Sequence, residues 1–148
     1  MALKLDPEVW GPHYWFTLHT IALNYPLYPN DVSKKKYYDF VQNIPMFIPD
    51  LTISDNFSKI LDRYPVTPYL DSRESFIKWM HFIHNKINHF LEKEDVEMID
   101  ALNTYYANYK PKEIILRDTI KTKERYIYIG ILLSISIASA YLYKFHGN

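Results

Sequence analysis

The chain contains no cysteine. That absence removes disulfides, thiolate nucleophiles, cysteine-ligated zinc and dithiol redox centres from anything its own side chains do. Glycine is scarce, three residues in 148, which excludes collagen-like and Gly-rich flexible segments. Net charge is missing too: 17 Lys+Arg balance 17 Asp+Glu, so broad electrostatic binding of nucleic acid is not expected. Aromatic side chains are abundant instead, 17% of the residues with fourteen tyrosines among them. A chain of this length suits one domain with a real core.

The charge is unevenly spread. Residues 1–109 carry 10 basic and 14 acidic side chains, and residues 110–148 carry 7 basic and 3 acidic. Lys110-Pro111-Lys112 therefore marks a boundary in charge as well as in pattern. Beyond it, Ile127 to Tyr143 reads IYIGILLSISIASAYLY without a charge. About 20 mostly apolar residues cross a bilayer as a helix. Tyr126–Phe145 is expected to do so, with Tyr126, Tyr128, Tyr141 and Tyr143 at the interfaces and Arg125 and Lys144 flanking. A buried helix of a soluble domain is the competing reading, but it would normally show a polar stripe. At the other end, Asp6, Pro7 and Glu8 interrupt any signal-peptide pattern. The expectation is a single-pass C-terminal anchor, with Lys121, Lys123 and Arg125 placing the N-terminal domain on the cytoplasmic side. Gly130, Ser134 and Ala138 recur every four residues, a spacing for close helix contact that is also common in any span.

The remainder reads as helices. Pro12 suits a first turn, and Trp15, Leu18 and Ala22 follow at helical spacing until Tyr25-Pro26. Further helices are expected over about 32–47, tightening near Pro45, then 52–64, and later 96–108. The clearest begins at a capping box of Asp71 and Glu74, ahead of Phe76, Trp79, Met80, Ile83, Ile87, Phe90 and Leu91. The fold expected is all-α: a four- to five-helix bundle over 1–109, a basic juxtamembrane linker over 110–125, a transmembrane helix over 126–145 and a tail over 146–148.

On the fourth helix, His81, His84 and Asn88 share one flank of the apolar face, with Asn85 slightly beyond. Imidazoles and carboxamides there suit a planar, polar-edged ligand by stacking and hydrogen bonding, or serve as boundary residues bonded to water and loops. His81 and His84 also have i, i+3 metal spacing, but no carboxylate joins them, so no metal is expected. Trp15 and His19 lie one turn apart on the first helix, a pairing that ordinarily means core packing.

The combination Trp10-Gly11-Pro12, Trp15, Leu18-His19-Thr20, Ala22 and Tyr25-Pro26 resembles the opening motif of the Erv/ALR family of FAD-linked sulfhydryl oxidases. A second signature follows in family order: Ser72-Arg73, Phe76, Trp79, His84-Asn85-Lys86-Ile87-Asn88 and Leu91 through Lys93. The resemblance covers about residues 10–95. It implies a helical bundle holding FAD, with Trp15, His19, His84, Asn85 and Asn88 around the flavin and Tyr25 and Lys93 more peripheral.

The departures are equally informative. Where the family carries its Cys-x-x-Cys after a proline, this chain has Pro49-Asp50-Leu51-Thr52-Ile53, with Asp50 and Ile53 in the two cysteine positions. His81 stands where many members carry another cysteine. A dithiol reduces flavin by thiolate attack, which neither a carboxylate nor an alkyl chain performs. No catalytic residue of the family type is therefore expected. The first reading is a redox-inactive, membrane-anchored structural or interaction protein, resembling members from large DNA viruses and suited to a virion inner membrane or minor capsid role. Its partners would be the bilayer, through Tyr126–Phe145, a capsid layer, and a second copy as a homodimer. The alternative is an FAD-binding protein that keeps its flavin without its own dithiol. A third is an engineered or atypical oxidase, though serine or alanine would be the usual cysteine replacements.

Overall fold

The computed structural model describes residues 5–146. Six α-helices and two short 3-10 turns account for most of it, and there is no strand among the described residues. Helix α1, Pro7–Leu23, starts earlier than the sequence suggests. Asp6 caps it by accepting from the Glu8 N–H at 2.9 Å, and Pro7 follows the cap with its φ already helical. Pro12 thus lies inside the helix, not at its first turn. It lacks only the N–H that would reach the Glu8 carbonyl, near an exposed end.

Asn30 caps α2, Asp31–Asn43, by accepting from Ser33 N–H. A 3-10 turn over Ile44–Phe47 tightens the chain at Pro45, as expected. Helix α3 spans Leu51–Arg63, and α4 spans Arg73–Phe90. The cap of α4 is displaced by one residue from the expected Asp71–Glu74 box. Ser72 holds the extended backbone of an N-cap (φ −149°, ψ 155°) and accepts from Ser75 N–H at 3.1 Å. Asp71 pairs instead with Lys34 of α2 at 2.6 Å, and Glu74 with Lys78 one turn on.

Helix α4 is the axis of the core. Phe76, Trp79, Met80, Ile83 and Ile87 recur every three or four residues and are all buried. Leu18 and Ala22 of α1, Val41 of α2, and Ile53, Phe57 and Leu61 of α3 join the same core. Buried polar atoms are bonded where chains turn. The Trp79 indole N–H donates to the Tyr64 carbonyl at 3.1 Å. The Tyr25 hydroxyl donates to the Leu70 carbonyl at 2.7 Å, while Arg73 Nε donates to the Tyr25 carbonyl. Burial raises the Tyr25 phenol above its ordinary pKa. At its C-terminus, α4 closes through Glu92, whose φ of 56° is usually glycine's. The Lys93 N–H then reaches the Asn88 carbonyl at 2.8 Å.

The chain divides into two compact units between Asn103 and Thr104. Helix α5, Met98–Ala107, straddles that division. The second unit holds its last turn and α6, Lys112–His146. The basic stretch expected as a linker is helical from Lys112 and continuous with the apolar segment. Helix α6 is the one helix among the described residues long and apolar enough to cross a membrane, over Arg117–Lys144, and none of that stretch is buried. Of the expected tail, Gly147 and Asn148 lie outside the described residues.

Tyr25→Phe keeps the ring among Tyr37 and Phe76 but leaves the buried Leu70 carbonyl without its donor. A loss of about 1–2 kcal/mol is expected. All three tryptophans lie in the first unit, so urea unfolding followed by tryptophan fluorescence reads it directly. An unchanged midpoint would contradict the assignment.

Candidate functional site

The seam between α1 and α4 gathers most of the polar residues that the sequence singles out. Helix periodicity puts Trp15 and His19 on one face of α1 and aligns His81, His84 and Asn88 along α4. The Trp15 indole stacks on the His84 imidazole, with ring centroids 3.9 Å apart and planes 13° from parallel. Phe57 of α3 lies stacked further off, at 6.3 Å. His19 Nε2 and His84 Nδ1 are 3.0 Å apart, so one ring donates and the other accepts. Neither needs a second proton for that bond.

Burial holds both imidazoles neutral. It is the main cause that lowers His19 to about 4 and His84 to about 3. Charge on His81 depresses both further, and His84 also feels His19 and Lys93. His81 stands 6.5 Å from His19, ring to ring. Its Nε2 lies 3.4 Å from the Asn85 amide, whereas its Nδ1 is buried without a hydrogen-bond partner. Among the described residues, no three His, Asp or Glu side chains gather to hold a metal.

The two asparagines differ in duty. Asn85 bonds both backbone groups of Val96, donating to its carbonyl at 3.0 Å and accepting from its N–H at 3.1 Å. Asn88 is buried, and its amide lies 3.4 Å from Asn85 Oδ1. Lys93 turns outward to pair with Glu8 at 2.8 Å, tying the end of α4 to the start of α1. Tyr25 packs away from this group, between Tyr37 and Phe76. Phe57 and Val96 were not expected here. Phe57 reads as plain core spacing, and Val96 contributes only backbone, which no side-chain pattern marks.

At the start of α3, Asp50 and Ile53 are joined by a hydrogen bond. Asp50 is the N-cap, and its carboxylate accepts from the Ile53 N–H at 3.0 Å. The Ile53 side chain points into the core. Met46, Phe47 and Leu51 are exposed around them.

Both imidazoles titrate in acid below the ordinary histidine value, which fixes a pH dependence. Well above pH 6.5 folded and unfolded states are equally neutral there. As pH falls towards 4 the unfolded chain takes up protons that the seam refuses, so stability falls. On the order of 2 kcal/mol per imidazole should be lost between pH 7 and pH 5. His84→Phe should remove about half of that acid sensitivity, measured by tryptophan fluorescence in urea. A wild-type midpoint that stays level down to pH 4.5 would contradict a neutral pair.

Residues 12–109 match the Erv1 / Alr family. The chain is 32% identical over 110 residues to a probable FAD-linked sulfhydryl oxidase of Acanthamoeba polyphaga mimivirus, covering 74% of this chain and 77% of that protein. It is 27% identical over 96 residues to the FAD-linked sulfhydryl oxidase of African swine fever virus, covering 65% and 79%. Among solved structures, the FAD binding domain of Erv1 from Saccharomyces cerevisiae superposes with a TM-score of 0.60 at 28% identity, covering 72% of this chain and 96% of that one. With the motif residues of α1 and α4 assembled in one seam and the match running through the whole bundle, this chain belongs to the Erv1/Alr family.

Proposed function

We propose that this protein is a membrane-anchored Erv1/Alr member that does not oxidise thiols and acts as a structural or interaction component, of the kind a virion membrane or minor capsid protein provides. The observation that carries this reading is the start of α3. Relatives named as sulfhydryl oxidases use a dithiol there, by the motif resemblance. Here the first position caps the helix and the second fills the core. Thiol–disulfide exchange, the step that a dithiol at this position would carry, passes through a mixed disulfide between substrate and enzyme sulfur, and this chain offers no cysteine sulfur. Helix α6 supplies the anchor, its apolar stretch spanning the bilayer and its basic approach lying on the cytoplasmic side.

A second reading, retention of FAD, rests on the α1–α4 seam. The residue types suit such a group, with an indole, two imidazoles held neutral, two carboxamides and a buried His81 Nδ1 lacking a partner. However, Trp15 and His84 stack on each other, His19 bonds His84 and Lys93 pairs with Glu8, so a flavin would have to part these contacts to enter. FAD, when bound, supplies redox chemistry of its own. Trp15, His19, His84, Asn85 and Asn88 would hold it, with Tyr25 and Lys93 at the periphery. In that case the chain would bind and orient the flavin, and any thiols for it would have to belong to a partner.

Oxygen uptake by the full-length protein, supplied with FAD and dithiothreitol, tests the proposal. The rate should equal that of free FAD and reductant alone. Protein-dependent turnover in a chain verified to lack cysteine would overturn it. The absorbance spectrum of the same preparation separates the two readings, because a protein-bound flavin band belongs only to the second. Full-length protein should sediment with membranes, and recovery in the soluble fraction without detergent would remove the anchor from the proposal.

A further inference from the structure

Most cations of the first unit are already committed. Among its described residues, Lys34, Lys35, Lys78 and Lys93 sit in ion pairs, and Arg73 bonds the Tyr25 carbonyl. Lys59 shares the outer arc of α3 with Asp55 and Asp62. Arg63 and Lys86 differ, because both are drawn onto one aromatic ring. The Arg63 guanidinium lies 5.5 Å from the centre of the Tyr64 ring, and the Lys86 ammonium lies 5.9 Å from it. Lys86 is also 5.0 Å from the Phe82 ring, which meets Tyr64 edge-on at 4.9 Å. The end of α3 and the middle of α4 thus bring two cations to one aromatic corner. Neither belongs to an ion pair found among the described residues.

The complementary charge lies on the same unit. From the end of α4 into the first turn of α5, Glu92, Glu94, Asp95, Glu97 and Asp100 are all exposed. Lys93, the cation among them, is held by Glu8. None of the five carboxylates belongs to an ion pair found among the described residues. Asn85 bonds both backbone groups of Val96, so these acids are presented on a held segment. The two patches face apart within one molecule. Lys86 reaches back to Phe82, whereas the acids follow the end of α4, about 15 Å further along its axis.

We propose that the first unit binds a second copy of this chain head to tail, with the acidic segment 92–100 of one copy seated on the Arg63–Lys86 corner of the next. The planar fork of Arg63 suits a carboxylate, and the Tyr64 and Phe82 rings add apolar area that an exposed ion pair lacks. A contact between two different patches does not close on itself, so it builds rows or rings instead of a symmetric pair. Exposed ion pairs are individually worth little. Each contact is therefore weak, and an array gains its stability from many copies. The inference deepens the structural reading proposed above and rests on it, but its test reads no thiol chemistry, so the two can fail separately.

The test mixes isotopically heavy and light full-length protein in a mild non-ionic detergent. A water-soluble carbodiimide then joins amines to carboxylates in contact, and mass spectrometry separates links between chains from links within one. Heavy–light links from Lys86 to the 92–100 segment are expected, in excess of those from Lys36, an unpaired lysine on α2. At about 1 M salt, where the screening length drops to about 3 Å, their yield should fall about tenfold. Arg63→Gln leaves both linked groups in place and should lower the yield about fivefold. Lys36→Gln, an equal loss of charge away from the corner, should leave it within about twofold. Equal losses in the two variants, links confined to single chains, or no excess of Lys86 over Lys36 would each overturn the proposal.

Discussion

Two histidines hydrogen-bonded at 3.0 Å in a largely buried seam can share it comfortably only while neither is charged. Around that pair α1 and α4 fix their register. Trp15 lies flat on His84, and the buried faces on either side carry Leu18 and Ala22 against the apolar row of α4. The Lys93–Glu8 pair and the Asn85 bonds to Val96 then pin the segment that follows α4. The seam is thus polar where a ligand-holding face would be needed and apolar where the core is needed. That division lets the bundle keep the family's fold, with polar and apolar demands met by separate residues of the same seam.

The start of α3 makes a demand that a carboxylate meets as well as a thiolate would. A helix N-terminus presents unpaired N–H groups and a partial positive charge. A thiolate is stabilised by that environment, and a carboxylate is stabilised by it too. Asp50 therefore meets a demand that the backbone makes whatever the reactive group. Three residues on, the side chain turns inward, and an isoleucine fills apolar space without needing a partner. Asp50 and Ile53 both suit the local structure, and neither carries sulfur. The exposed Met46, Phe47 and Leu51 beside Asp50 in sequence give that end of the bundle an apolar surface.

Much of this was legible in the sequence, for identifiable reasons. The α4 core row and the α1–α4 site residues follow from helical spacing and from the paired motifs, because side chains one turn apart share a face. The 3-10 turn at Pro45 followed from proline's missing N–H. Helix starts were harder to read. Asp6 and Ser72 each compete with a neighbouring candidate, and the winner depends on which residue adopts extended backbone. The cross-helix His19–His84 bond and the Val96 backbone contacts carry no local signal at all, since they join residues 65 and 11 positions apart. Likewise, charge and hydropathy divide residues 110–125 from the apolar segment, yet nothing in that division stops a helix from running through both.

Asp50 is the N-cap of α3, and in the proposed reading that is its role in place of a redox centre. Urea unfolding of Asp50→Ala and Asp50→Ser, followed by tryptophan fluorescence at neutral pH, tests it most directly. Removing the acceptor should cost about 1 kcal/mol in the alanine variant, whereas serine, itself a good cap, should restore most of that loss. An alanine variant as stable as the wild type would contradict that role, because the Asp50 carboxylate would then contribute nothing as a cap.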